Sequence, residues 1–441
     1  MSELLNEFEA ANFYKYPIVN KCMLDWMIRS RQWHIVFGGF MHNHMTHNLA
    51  VIGSLGLDEE LANEKLQWWY ELYSGKHAGS ATLEPSADYE SRSQLIINAS
   101  NWKDHVLPSE ADVIAYYSFL RYFDARIKEE GYESVVREHL PYLVSGMAGS
   151  AVHSIIHLGF ALEVKSDTMI AEGLACMCIY YLDLGSAAPK FLSDISKSAL
   201  HQNSDSTNLI EASIEYISKA YSADYHATAV SAMNTTFASF PLSGFQKRLR
   251  AFTDVAHLAD SYTEQIPLKI STVFEAVKQA TALIACAYLA SNNEFFVIHG
   301  LTSLHGLIVS LQFLSVEAQK NALVCWWKIA MAVLVIQSVI ANDQIRVPLL
   351  ERLQLWQAAE AECKESVGSA EIAEEWWAHI LSIAVTSTEE HASKGCYVLY
   401  RWSHFAGMPA HSLKLFQQVA ENQVKDCPEN GNPAKNIWFS G

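Results

Sequence analysis

The sequence predicts one large, all-α domain, and three observations carry that expectation. Apolar residues recur at three- and four-residue spacing along most of the chain. Runs of alternating β-branched residues bounded by tight turns are nearly absent. The 11 prolines and 20 glycines fall mostly between the periodic stretches. At 441 residues, 50% hydrophobic and 11% aromatic, the chain can bury a sizeable core, which excludes wholesale disorder.

Taken in order, the N-terminal MSELLNEFEA is acidic and has no apolar signal-peptide core. MHNHMTHNLAVIGSLG (41–56) leads three histidines into an apolar helical run. A loop is expected over 74–91. SEADVIAYYSFLRYFDARIKEEG (109–131) has a Ser-x-x-Asp start, helical spacing and a glycine stop at Gly131. AVHSIIHLGFALEV (151–164) is a second apolar helix. Loops are expected at 185–190, 201–208 and 240–244. STVFEAVKQATALIACAYLAS (271–291) and EEWWAHILSIAV (374–385) read as further helices. CWWKIAMAVLVIQSVIAN (325–342) is the most apolar stretch, but Lys328 leaves a clean run well short of the ~20 residues a bilayer needs. It reads as a core helix. The tail 425–441 is loop-like. No repeat and no linker divides the chain, so residues 1–441 are expected to form one domain.

The formal charge of −17 disfavours nucleic acid and anionic membranes as partners. The 8 cysteines show no CxxC spacing and sit mostly in apolar helical runs. That pattern suits reduced, buried thiols of a cytoplasmic protein.

The 18 histidines are the unusual feature. Several are isolated, and each of those reads as a surface or singly satisfied core residue. Four places differ. In the first, His44 and His47 lie about 60° apart around a helix, so both can face one way, while His42 would lie on another side. In the second, His153 and His157 stack on one apolar face. In the third, EFFVIHGLTSLHGL, Thr302 shares the face of His299, and His305 lies about 120° away. In the fourth, STEEHASKGCYVLYRW, a capping-box pattern starts a helix with His391 and Lys394 on one face. A buried imidazole needs a hydrogen-bond partner or a metal, and a helical core can gather ligands from several helices. The expectation is a buried, His-rich metal site between helices. Zinc, iron, copper and nickel all suit imidazole. Spacing does not choose between His44 and His47, or between His153 and His157. Nor does it remove the plainer reading, in which these histidines are structural.

In order, the four places resemble the motifs of the questin oxidase-like family. NHMTHNLAVIGSLG matches an Asn-His-x-x-His element ending in Leu-Gly. HSIIHLGFALE matches a His-x-x-x-His-Leu-Gly element with a nearby acid, FFVIHGLT an aromatic-led His-Gly-x-Thr, and HASK a His-x-x-Lys. The set runs from Asn43 to Lys394. One departure is Asn48, where the family often has a second histidine. The resemblance implies an oxidoreductase that oxygenates and opens polycyclic aromatic polyketides such as anthraquinones. Two forms are implied: a Baeyer–Villiger-type oxidase needing a nicotinamide donor, and a ring-cleaving dioxygenase using non-haem iron held by four histidines and a carboxylated lysine. Carried over residue by residue, it implies His47, His157, His299 and His391 as ligands and Lys394 as the carboxylated lysine. A lysine in a dry site beside a cation is pushed toward its neutral amine, and a neutral amine can add CO2. His44, His153, Thr302 and His305 become outer hydrogen-bonding groups or alternative ligands, with Glu163 and Glu294 as outer acceptors. Glu163 needs a bend near Gly159 to reach His157.

The implied cofactors are Fe(II), CO2 on Lys394, and NADPH as a reductant. The partners are O2 and a small aromatic substrate. Three rival readings stand beside this one: an NAD(P)H-dependent Baeyer–Villiger-type oxidase without iron, a non-catalytic helical binding protein, and a metal-dependent hydrolase. There is no HExxH and no GxGxxG; FGGF at 37–40 is not a dinucleotide fingerprint.

Overall fold

The computed structural model describes residues 21–37, 41–73 (except 56 and 58), 85–106 (except 92 and 93), 113–183, 208–220, 270–336 (except 293–295), 342–362 and 374–427 (except 388, 389, 406 and 426). The loops expected at 185–190 and 240–244, most of those at 74–91 and 201–208, most of the C-terminal tail, and Glu294 lie outside the described residues.

The all-α expectation holds. The described chain runs α1 (Lys21–Ser30), β1 (Val36–Phe37), β2 (Met41–His42), α2 (Met45–Gly53), α3 (Glu59–Tyr73), α4 (Ala87–Glu90), α5 (Val113–Glu130), α6 (Tyr132–Leu143), α7 (His153–Glu163) and α8 (Asp167–Ile179). It continues through α9 (Leu209–Ala220), α10 (Val273–Ala290), α11 (Ile298–Ser310), α12 (Val316–Ile336), α13 (Asp343–Glu362), α14 (Glu374–Thr386), α15 (Glu390–Ser403) and α16 (Ala410–Val424). Among the described residues the only sheet is the two-residue antiparallel pair β1–β2, with Val36 opposite His42.

Local chemistry explains the boundaries. Gly131 adopts φ +79° between α5 and α6, a conformation glycine reaches without strain. Thr272 caps α10 by accepting from the Glu275 amide at 3.2 Å. The capping-box segment near 387 does precede a helix, which starts at Glu390. The short helix α4 falls inside the stretch expected to be a loop.

The core sits where α7 packs against α11 and α8, with α2 and α15 closing over α7 and α11. Glycines set this approach. A Cβ on Gly159 would stand 2.1 Å from Gly306 Cα, and one on Gly306 would stand 2.3 Å from the Ile155 carbonyl oxygen. The helices α7 and α11 therefore meet backbone to backbone. Trp69, Trp326, Trp327 and Trp377 pack in the core and are buried. One described helix, Val273–Ala290, is long and apolar enough to cross a membrane by length and composition, and most of it is buried inside the protein.

Two of the isolated histidines, His34 and His139, are core residues with their own hydrogen-bond partners, as the plain reading expects. His34 meets the Tyr117 hydroxyl at 2.7 Å. His139 donates to the Val135 carbonyl at 2.7 Å and pairs with the Tyr122 hydroxyl at 2.9 Å.

Candidate metal centre

Four helices and one short strand bring seven histidines together. β2 supplies His42, the start of α2 supplies His44 and His47, α7 supplies His153 and His157, α11 supplies His299, and α15 supplies His391 with Glu390 and Lys394. All seven are buried, and Lys394 is only 2% exposed. The rings form a continuous cluster. Centroids lie 5.1 Å apart for His47–His157, 5.3 Å for His42–His47, 4.9 Å for His44–His153, 4.7 Å for His153–His299, 5.0 Å for His299–His391 and 5.0 Å for His44–His391.

Three donor groups emerge among the described residues, each with ligand atoms within 4.8 Å of one another: His42, His47 and His157; His44, His153 and His299; and His44, Glu390 and His391. The sequence-derived residues are thus divided. His47 and His157 fall in one group, and His299 and His391 adjoin each other around His44. Lys394 Nζ lies 3.1 Å from His44 Nδ1.

Outer partners orient the rings. Glu390 Oε1 stands 2.6 Å from His44 Nδ1, and His44 Nε2 has no protein hydrogen-bond partner. His153 donates from Nδ1 to the Ser150 carbonyl at 2.6 Å, which leaves Nε2 as its lone-pair nitrogen. That carbonyl belongs to a strained turn: Ser150, Ala151 and Val152 all have positive φ, between 52° and 62°. For β-branched Val152 this is an outlier, and strain of this kind clusters at functional sites. Asn48 ties the cluster together. Its Nδ2 donates to the His44 carbonyl at 3.2 Å, and its Oδ1 accepts from Ser393 Oγ on α15.

Burial keeps four of the imidazoles, those of His42, His44, His47 and His153, neutral. Desolvation first, then the neighbouring imidazoles and Lys394, push His42, His44 and His47 well below the ordinary value, and His153 down to about 3. Neutral imidazole is the form that binds metals. The donor set, with the buried Nε2 of His44 left without a protein partner, therefore fits a borderline cation such as iron or zinc.

Two expectations are corrected. His42 does not sit on another side of a helix: α2 begins at Met45, and His42 lies on β2, with Nε2 3.4 Å from His157 Nδ1. Asn43 ends any helix there, because its Oδ1 accepts from the Met45 amide at 3.0 Å. Asparagine at that position was the available signal. Glu163 does not serve His157. Its Oε2 pairs with His305 Nε2 at 3.0 Å and its Oε1 with Arg401 Nε at 2.6 Å. Burial alone would raise its carboxyl, but His305 and Arg401 hold it down at about 2. His305 thus joins a buried ion-pair group outside the three donor groups. Thr302 donates back to its own helix, at the Ile298 carbonyl 3.4 Å away. The carboxylate beside His157 is Glu172 on α8, 3.3 Å from Nε2. Sequence reasoning missed it, because no local pattern links α8 to that ring. A surface cleft of about 500 Å³, lined in part by Ile96, Arg121 and Tyr122, contains none of these histidines.

Comparison with known proteins covers the same ground. The family model described as questin oxidase-like matches residues 41–399. The chain is 28% identical over 144 residues to the Baeyer–Villiger oxidase AgnL3 of Paecilomyces divaricatus, covering 30% of this chain and 28% of that protein. It is 30% identical over 155 residues to the Baeyer–Villiger oxidase mdpL of Emericella nidulans, covering 32% and 31%. With the Baeyer–Villiger monooxygenase dmxR6 of Cryptosporiopsis it shares 22% over 165 residues, covering 36% and 34%. Each matched stretch spans a third or so of the relative's length. The family model, by contrast, takes in every histidine of the cluster and Lys394, and the chain belongs to the questin oxidase-like family.

Proposed function

We propose that this protein is an oxygen-inserting oxidoreductase that opens a ring of a polycyclic aromatic, anthraquinone-like polyketide, using one non-haem Fe(II). The observation that carries the reading is the buried convergence of imidazoles, with Lys394 against His44, within the family-matched segment. The printed names of the relatives, all oxidases or monooxygenases of the Baeyer–Villiger type, support the reaction class.

For the ligands we favour His44, His153, His299 and His391, with Lys394 as its carbamate. His299, His391 and Lys394 are carried over from the sequence. His44 and His153 replace His47 and His157 on geometry. Glu390 takes the Nδ1 proton of His44, and the Ser150 carbonyl takes that of His153, so both present Nε2 to the ion. Bound Fe(II) would supply the one-electron chemistry that lets O2 react with a closed-shell aromatic. The protein's own residues do the rest. Glu390 and Ser150 hold the ring tautomers, Asn48 fixes α2 against α15, and the apolar walls of α7 and α11 exclude water. NADPH would reduce the quinone to an electron-rich hydroquinone, oxidising the nicotinamide by two electrons. O2 would then deliver both its atoms across the carbon–carbon bond that breaks. We place the enzyme in the cytoplasm, since the described cysteines form no disulfide with one another.

The relatives' names favour a second reading, Baeyer–Villiger insertion without iron. There one oxygen atom enters next to the carbonyl and the other leaves as water, with two electrons from NADPH. One experiment separates them. Protein purified without an affinity tag is assayed for metal, beside Lys394→Ala and His299→Ala variants, and turned over on hydroxyanthraquinones with NADPH under ¹⁸O₂. About one iron, lost in both variants, with two labels in the product supports the first reading. Metal-free protein that inserts a single label overturns it. Metal-free protein without turnover supports a non-catalytic helical protein.

A further inference from the structure

We propose that His42, His47 and His157 form a second divalent-cation site, adjoining the first and suited to a borderline cation such as Zn(II). The inference deepens the proposed centre and rests on assigning His44, His153, His299 and His391 to the first ion. With four imidazoles so assigned, three buried imidazoles remain, and they face one another.

Two of their three nitrogen–nitrogen spacings are those of ligands. His157 Nδ1 lies 3.1 Å from His47 Nε2 and 3.4 Å from His42 Nε2, and all three form one donor group. Metal–nitrogen bonds of about 2.0–2.1 Å put neighbouring ligand nitrogens about 2.9–3.4 Å apart, from octahedral to tetrahedral geometry. Hydrogen bonding does not account for the arrangement. An imidazole nitrogen either donates one proton or offers one lone pair, so His157 Nδ1 makes one good hydrogen bond, and two nitrogens converge on it.

A buried negative charge points the same way. Glu172, 5% exposed, holds Oε2 3.3 Å from His157 Nε2, and that oxygen makes no hydrogen bond. The nearby cation, Arg31, is already committed. Its terminal nitrogens bind Asp124 at 2.7 and 2.8 Å and the Thr168 carbonyl at 2.7 Å, and only its Nε faces Glu172, at 3.4 Å. Arg31 and Asp124 cancel, so the Glu172 charge is left against the outer nitrogen of His157. A buried carboxylate requires compensating positive charge. A cation on Nδ1 supplies it through the ring, and Glu172 then holds the proton on Nε2, as carboxylates behind metal-bound histidines do. Three protein donors leave a position for water or an anionic substrate oxygen. The two donor sets touch: His42 stacks on His153 at 5.1 Å and His47 on His44 at 5.4 Å between centroids.

The test is metal stoichiometry. Metal-stripped, tag-free protein is dialysed to equilibrium against Zn(II) without oxygen, and bound metal per chain is counted. Wild type should bind two ions, His42→Asn one, His299→Ala one and the double variant none. One ion in wild type, kept in His42→Asn and lost in His299→Ala, overturns the second site and leaves the first. One ion lost in His42→Asn and kept in His299→Ala places a cation at this triad and overturns the first assignment instead. Far-UV circular dichroism checks that each variant folds, with His47→Gln as the alternate. A Co(II) titration of wild type needs no variant: two saturating visible-absorption phases are expected, and one phase refutes the proposal.

Discussion

Replacing Gly306 by alanine should separate α7 from α11 and loosen the metal centre. The added Cβ would stand 2.3 Å from the Ile155 carbonyl oxygen and 3.3 Å from Ile156 Cα. These are backbone atoms of a packed helix, so no side chain can swing away. Ordinary non-bonded contact near about 3.5 Å requires α11 to move by about 1 Å. Overpacking against a rigid neighbour sits at the upper end of about 1–3 kcal/mol. Alanine regains about 1 kcal/mol of helix propensity, which leaves a net loss of about 2 kcal/mol. For a chain of this size that lowers Tm by about 2–4 °C, since each kcal/mol shifts Tm less in longer chains. The same movement parts His153 on α7 from His299 on α11, whose rings are now 4.7 Å apart. A misplacement of about 1 Å costs on the order of 100-fold in turnover. Scanning fluorimetry and metal analysis read both effects. Gly131→Ala is the control. Nothing lies within 4 Å of its Cβ, but φ is +79°, so it should lose about 1 kcal/mol to backbone strain and keep its metal. Wild-type Tm and full metal in Gly306→Ala would refute the reasoning.

Three further predictions concern the shell around the cluster. Glu390→Gln keeps the shape but removes the charge behind His44. It should weaken metal binding about 10- to 100-fold in a chelator competition. Asn48→Ala removes the side-chain acceptor of buried Ser393 Oγ and one of the two donors on the His44 carbonyl, whose bond from the backbone amide of residue 48 remains. It should cost about 1–3 kcal/mol in denaturant unfolding and speed metal loss. Glu163→Gln tests the buried ion pairs. The folded-state carboxyl is depressed to about 2 by His305 and Arg401, so the unfolded chain takes up the proton first as pH falls. The stability this group contributes is complete above about pH 4.5 and fades toward pH 2. The gap between wild type and Glu163→Gln should close across that window, and a gap independent of pH would contradict the ion-pair account.

Much of the scaffold was legible because its signals are local. Periodic apolar spacing marked α5, α10 and α14, and glycine marked the end of α5 at Gly131. The histidine motifs named every helix that lines the cluster. What failed was the step from a helix face to its neighbours. His42 was set aside by extending α2 backward past Asn43, although the chain there is a strand. Glu163 and His305 were assigned to the centre because they sit near its motifs, yet they pair with each other and Arg401. Glu172 belongs to α8 and reaches His157 only through packing of α7 on α8, which no single-helix pattern encodes. The choice between His44 and His47 likewise depends on Glu390, some 340 residues away in the chain.

The central claim is that one iron sits among His44, His153, His299, His391 and a carboxylated Lys394. Diffraction at the iron absorption edge from crystals of tag-free protein, grown without oxygen, tests it most directly. The account predicts one strong anomalous peak among those four imidazoles, with electron density continuing beyond Lys394 Nζ. No anomalous peak there, in protein that still oxidises its substrate with NADPH, would contradict it.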